Sequence, residues 1–314
     1  MSNCGLILGV AGYYKIEAFR ADADGNEIPG SRRVAADWFP NLITNAGLNA
    51  CLANNTTDFI QTCQVGSGST TPAFTDTALV AMVASSSTEQ AHLVGFSSSA
   101  PYYGWRRLTV RFATGVAAGN LSEVGMFGGS LMYSRALIVD GGGSPTTITV
   151  LSDEILDVTY EVRSYVPTAD AVFTVGGYTF TVRAAGAGSV AWCGQSPSAG
   201  DIAKGWRTMA YYSYPATSTI GAITGKPSGA SGTVVNLIDV WTGTPSGGSN
   251  TFRVSLSVAQ GNVTGGIGAF TIGDGGAGID CGWMFQVGCS PVLPKDATKT
   301  MKLDFTLTVA RVTP

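Results

Sequence analysis

Few residues in this chain are of types that do chemistry, and their spacing decides what they can do. His92 is the only histidine and lies in Glu89-Gln90-Ala91-His92-Leu93-Val94, a strand-like run. A Ser-His-Asp site needs a carboxylate to hold the imidazole and a nucleophile beside it, and no G-x-S-x-G segment occurs. Asp22-Ala23-Asp24-Gly25-Asn26-Glu27 opens like a calcium loop. An EF-hand requires Gly at its sixth position and a bidentate Glu at its twelfth. Glu27 and Arg33 stand there instead, so the segment reads as a hairpin turn. The glycine string Val65-Gly66-Ser67-Gly68-Ser69-Thr70-Thr71 lacks the Lys that completes a phosphate-binding loop. A dinucleotide fingerprint would need a βαβ unit. One histidine and no C-x-x-C cannot supply zinc ligands at the usual spacing. The sequence therefore predicts no catalytic, metal or cofactor site, and a protein that is not an enzyme.

Aromatic clusters are the better surface candidates: Tyr102-Tyr103-Gly104-Trp105, and Trp206 with Tyr211-Tyr212-Ser213-Tyr214. Flat rings beside polar groups stack on sugars and also anchor protein interfaces. Strand alternation places Tyr103 and Trp105 on one face. Core packing, a subunit interface and glycan contact are the three roles open to them. Asp153-Glu154 reads as a turn rather than as a paired-carboxylate site of the glycosidase kind.

These groups must be positioned by β structure. Tyr160–Val166 and Tyr178–Arg183 alternate large apolar with polar residues. Turn clusters such as Asp140-Gly141-Gly142-Gly143 and Thr244-Pro245-Ser246-Gly247-Gly248 punctuate the runs. The fold class expected is mainly β, with two β-sandwich-like domains. Thr44 or Asn45 can cap a short helix through Ala46–Ala53, with Asn45 expected as the cap and Leu42, Ile43 and Leu48 buried beside it. A second short turn is expected over Asp76–Met82.

The expected boundary is Val166-Pro167-Thr168-Ala169-Asp170, dividing the chain into 1–166 and 167–314, because proline interrupts a strand ladder. The halves share a pattern. Val110-Arg111-Phe112, Val124-Gly125-Met126-Phe127 and Leu156–Val162 in the first correspond in order to Val254-Ser255-Leu256, Ile267-Gly268-Ala269-Phe270 and Leu303–Val309 in the second. Duplicated β domains of similar topology would produce this.

Composition bounds the partners. Charged residues are 12% of 314 and glycine numbers 42, so a free monomer would have a poorly solvated surface. Much of that surface is expected to be covered in an assembly. Net charge is −3, and the only cationic clusters are the pairs Arg32-Arg33 and Arg106-Arg107. That excludes the phosphate-neutralising stripe of a nucleic-acid binder. No apolar run long enough for a transmembrane helix occurs, and the N-terminus lacks the pattern of a signal peptide. The chain is expected to be made in the cytoplasm, unprocessed, with no membrane insertion. Cys4, Cys51, Cys63, Cys193, Cys281 and Cys289 are scattered and expected to be reduced, mostly buried thiols.

One stretch carries more than composition does. Trp38-Phe39-Pro40-Asn41-Leu42-Ile43-Thr44-Asn45-Ala46-Gly47-Leu48 is followed by Val65-Gly66-Ser67-Gly68-Ser69-Thr70-Thr71-Pro72-Ala73-Phe74-Thr75-Asp76-Thr77-Ala78-Leu79. Further on come Thr109–Phe112, Glu123–Phe127, Tyr133-Ser134-Arg135-Ala136-Leu137 and Thr159–Val162. Together, over roughly residues 10 to 166, they resemble structural proteins of tailed bacteriophages, the components of tails, baseplates, tail fibres and neck collars. Residues 167–314 carry little of the likeness. The resemblance implies a virion protein working as a symmetric multimer, in contact with copies of itself and with other virion proteins. It makes the glycine string a structural loop. A host-surface receptor- or glycan-binding module of the tail is the alternative, and a collar or capsid decoration protein a lesser one.

Overall fold

Alternation with period two runs through the chain's last strand. Met301, Leu303, Phe305, Leu307 and Val309 are buried, while Lys302, Asp304, Thr306 and Thr308 face away from the core. The same rule builds the whole molecule, seen in a computed structural model that describes residues 4–53, 60–97, 99–185, 208–223, 225–232, 234–238, 242–274 and 284–312. Its first elements are β1 (Cys4–Arg20), β2 (Arg33–Pro40), β3 (Leu42–Ile43), α1 (Asn45–Ala50), β4 (Thr62–Gly66), β5 (Met82–Ser86), β6 (Thr88–Phe96) and β7 (Tyr103–Phe112). Next come β8 (Gly119–Leu121), β9 (Glu123–Gly128), β10 (Leu131–Leu137), β11 (Ile148–Val150) and β12 (Glu154–Tyr165). The remainder are β13 (Ala171–Val175), β14 (Tyr178–Ala185), β15 (Thr208–Pro215), β16 (Val234–Ile238), β17 (Ser249–Leu256), β18 (Ile267–Asp274), β19 (Met284–Leu293) and β20 (Met301–Arg311). The fold is mainly β with one short helix, and its sheets stack as β-sandwich layers.

A seven-stranded sheet in the order β17-β20-β1-β12-β7-β6, with β2 also on β1, forms one layer. β1 is 17 residues long, enough for two partners on one edge. β20 pairs parallel with residues 4–10, and β2 antiparallel with residues 13–18. The inward face of this sheet packs on a five-stranded sheet, β3-β10-β9-β4-β5, and on a six-stranded sheet, β13-β14-β19-β18-β15-β16. One continuous core results, with Tyr14, Tyr133 and Tyr160 near the first and Phe173, Phe180, Phe270 and Phe305 near the second.

The three strings shared by the halves occupy related places. β7 pairs antiparallel with β12, and β17 pairs antiparallel with β20, so both hairpin-like pairs flank β1. The middle strings lie in β9 and β18, each in the facing layer. β12 runs antiparallel to β1 and β20 parallel to it. The two pairs are thus related by an approximate half-turn about an axis normal to the sheet.

The boundary read at Val166–Asp170 is where the chain passes from the large sheet (β12) to the six-stranded one (β13). β17 and β20 then return to the large sheet, and other links cross the same point. The Gly248 N–H donates to Asn49 Oδ1 at 2.9 Å and Asn250 Nδ2 donates to the Leu52 carbonyl at 3.0 Å. Arg311 donates to the Ile43 carbonyl at 2.6 Å and to Asn45 Oδ1 at 2.8 Å.

Thr44, rather than Asn45, caps α1. Its Oγ1 accepts the Gly47 N–H at 2.9 Å and donates to the Met132 carbonyl at 2.6 Å. Asn45 is exposed and meets Arg311 instead. Ile43 and Leu48 are buried, Leu42 only half so. The turn expected over Asp76–Met82 is not helical, because the Val80 and Ala81 N–H groups go to the Glu123 carboxylate and the chain enters β5 extended. Asp22–Glu27 is a turn, with Asp22 Oδ1 accepting the Asp24 and Asn26 N–H groups and Gly25 at φ 83°. Cys51 and Cys63 are buried free thiols and Cys289 a half-buried one. Burial pushes Cys51 and Cys289 up to about 12, Cys51 less a hydrogen bond with Tyr133 that opposes the shift.

Two outcomes follow from this packing. A fragment of residues 1–166 leaves the parallel edge of β1 unpaired, so it should show a lower melting midpoint than the full chain, or aggregate, by circular dichroism. Leu48→Ala removes a 5% exposed side chain that touches Gly248. It should cost roughly 2–5 kcal/mol in a denaturant melt.

Candidate functional site

Two constellations stand out. The first is built from residues 41–48, 66–81, 123–127 and 133–137, which the fold brings into one place. β3 pairs with β10 through Leu42–Arg135 and Ile43–Ser134. Gly47 is required where α1 meets the Tyr133 carbonyl, since a Cβ there would collide with it. Beneath the loop from Gly66 to Ala81 lie Glu123 (0% exposed) and Arg135 (1%).

Glu123 Oε1 accepts the Gly68 N–H at 3.1 Å and the Ala81 N–H at 2.8 Å, and Oε2 accepts the Val80 N–H at 3.2 Å. Arg135 reaches Glu123 Oε2 at 2.9 Å, Asp76 Oδ2 at 2.7 Å and the Thr70 carbonyl at 2.8 Å. Asp76 also accepts the Ala73 N–H at 2.9 Å. Burial would raise its carboxyl, but the Ala73 N–H and the Arg135 guanidinium together bring it below its ordinary 3.8. All these carboxylate and guanidinium groups are occupied by the protein's own backbone and by each other. The arrangement holds a loop, and offers no reacting group.

The second constellation is the outward face of the large sheet. Odd-numbered residues of β1, β7 and β12 point there, placing Arg107 against Glu161 and Arg111 against Asp157 across the ladder. Arg111 is bidentate to Asp157 at 2.7 and 2.8 Å. Arg163 donates to Glu161 at 2.5 Å, and Arg107 is paired with the same carboxylate. Aromatic rings lie among these ions. Arg107 stands over Trp38 at 5.1 Å and Trp105 at 4.5 Å, Arg163 over Tyr13 at 4.2 Å and Tyr103 at 4.9 Å, and Arg32 over Phe19 at 4.1 Å. Trp105 lies flat across Gly95, where a Cβ would collide with the indole.

The expected aromatic contacts separate into two groups. Tyr103 and Trp105 share this outer face, both half-buried, and Tyr103 packs on Tyr165 with ring centres 5.0 Å apart. Tyr102 is half-buried against Val166 and Ala184 at the start of the second half. Tyr211 is fully buried against Phe270 at 5.2 Å, and Tyr214 is 6% exposed. Neither offers a ring for stacking, because the strand β15 turns Tyr211 into the core. Tyr212 is half-buried in that same strand. Trp206 lies outside the described residues. His92 sits in β6, half-buried, its pKa lowered by burial and by Arg106.

Sequence reading missed Trp38, Lys15, Arg107 and the Glu123–Arg135 pair as members of sites. The alternation Arg107-Thr109-Arg111 against Asp157-Thr159-Glu161 was the available signal, once those strands are set side by side. Among the described residues no group of three or more His, Cys, Asp or Glu side chains converges as a metal site, and no helix is long and apolar enough to cross a membrane. Compared with known protein families, curated proteins and solved structures, the chain matches none.

Acid should loosen the loop. A carboxyl whose folded pKa is depressed stabilises the fold above its unfolded value and loses that contribution as pH falls through the folded one. The wild-type melting temperature should therefore fall steeply below pH ~4, and Asp76→Asn should start lower and fall less over that window. Parallel pH profiles for the two proteins would remove Asp76 from this role.

Proposed function

We propose that the chain is a non-enzymatic structural component of a tailed-bacteriophage particle, from the tail, baseplate or fibres, working as a symmetric multimer. Its place is the virion and its partners are copies of itself and neighbouring virion proteins. The observation that carries this reading is the loop over the Glu123–Arg135 pair. Of the stretches that resemble the bacteriophage proteins, residues 65–79 supply most of the loop, the Asn45 N–H holds its Phe74 carbonyl at 2.8 Å, and Glu123 and Arg135 hold it from beneath. On that support Val80 (57% exposed) and Met82 (57%) face solvent, as does Phe74 (50%) on the side not covered by Arg311, whose guanidinium lies 3.9 Å from its ring centre.

Met82 begins β5, which among the described residues ends the five-stranded sheet and leaves an edge able to pair with another chain. Apolar side chains grouped on a firmly held loop beside an open edge suit a subunit contact. The scarcity of charge supports the same reading, since Arg32, Arg107, Arg111 and Arg163 on the large sheet are already paired within the chain.

Light scattering on the purified chain should report a multimer, and Met82→Lys should shift it to a smaller species without lowering the melting temperature. A wild-type chain that stays monomeric at high concentration would count against the assembly. Gold-labelled antibody against this chain, imaged on purified particles by electron microscopy, should decorate one structure of the tail.

A further inference from the structure

The outward face of the large sheet has a trough whose shape follows from strand register. One cross-strand row is Lys15, Thr159, Thr109 and Ala91, on β1, β12, β7 and β6 in turn. Its middle members are short, and their hydroxyls touch at 2.9 Å. The next row holds Tyr13, Glu161, Arg107 and Leu93, and the row on the other side Glu17, Asp157 and Arg111. Small residues between two rows of large ones leave a cleft of about 200 Å³. Trp38, from β2, also lines it, 40% exposed and with the Arg107 guanidinium 5.1 Å from its ring centre.

We infer that this trough binds a single neutral pyranose ring. A pyranose has an apolar C–H face and a rim of hydroxyls that both donate and accept. The exposed part of the Trp38 ring, beside the Arg107 guanidinium, offers an apolar surface for the first. For the second, Lys15 and Arg107 donate, Glu17 accepts, and the Thr109–Thr159 hydroxyl pair does either. The ions are mutually compensated: Lys15 pairs with Glu17 at 3.0 Å and Arg107 with Glu161. An anion would find no uncommitted cation among them, whereas an uncharged polyol can bridge both signs. A wholly apolar ligand would strip water from these polar groups and return no hydrogen bonds. The volume lies below the roughly 300–1,000 Å³ of pockets for drug-sized ligands, in keeping with one ring. None of these residues belongs to the loop over Glu123 and Arg135, so the inference does not rest on the assembly reading.

Saturation-transfer NMR with the methyl pyranosides of glucose, galactose and mannose tests it, with glucuronate and benzoate as anionic and apolar controls. At least one methyl pyranoside should receive saturation on its ring C–H protons. Trp38→Ala should weaken that binding by about tenfold or more, Trp38→Phe should retain part of it, and Thr159→Val should weaken it with an unchanged melting curve. Absence of transfer to all three pyranosides overturns the inference, as does transfer that survives both Trp38→Ala and Thr159→Val, or transfer to a control alone. Light scattering on Trp38→Ala separates this result from assembly. An unchanged multimer with a lost sugar signal supports the trough, and a lost multimer without any sugar signal in the wild type assigns Trp38 to a subunit contact instead.

Discussion

The buried Glu123–Arg135 pair is the constraint around which the first half of the chain is organised. Removing two charges from water is expensive, and their attraction repays it only when the remaining donors and acceptors are also satisfied. Here three backbone N–H groups converge on Glu123, while Arg135 gives its other hydrogens to Asp76 and the Thr70 carbonyl. The consequence is local. A loop with no regular secondary structure over most of its length acquires the fixed geometry that its backbone alone would not impose. Breaking such a pair by removing one partner costs about 3–5 kcal/mol, so the loop cannot be varied independently of the strands β9 and β10 beneath it.

β1 plays the corresponding part for the chain as a whole. Its length lets β12 line one edge while β2 and β20 divide the other. The last strand of the chain is therefore hydrogen-bonded to the first, and its Arg311 reaches past β1 to the Ile43 carbonyl. A core that continues from Tyr14 through Phe305 follows from this closure. The related positions of β7–β12 and β17–β20 about β1 give the shared strings of the two halves a spatial meaning: each set supplies an edge-adjacent pair to one layer and a strand to the other.

The outward face shows how a chain with little charge uses what it has. Arg32 and Arg111 cover Phe19, which is 1% exposed although it points away from the core. Guanidinium groups there serve as both ion-pair donors and flat covers for aromatic rings. The face is consequently ordered and polar, with a short-residue floor where two threonines meet, and differs in character from the apolar loop edge around Val80 and Met82.

The sequence alone determined the β class, the turn at Asp22–Glu27 and the strand placement of His92, because period-two alternation and turn chemistry are local properties. It also determined that Tyr103 and Trp105 share a face. It named Asn45 as the cap of α1 where Thr44 serves, since that choice rests on the Met132 carbonyl, 88 positions away. For Tyr211 and Tyr214 it left core, interface and glycan contact open for the same kind of reason: alternation puts them on opposite faces of a strand, but whether a face is covered depends on what packs against the sheet, and here both are buried. The grouping of Trp38 with Arg107, and of Glu123 with the Gly68 and Ala81 N–H groups, required the register between strands distant in the chain. Likewise Pro167 marks a change of sheet, yet only the return of β17 and β20 decides that both halves share one layer. Local pattern fixes which residues can form an element, and long-range pairing fixes which of their faces meet.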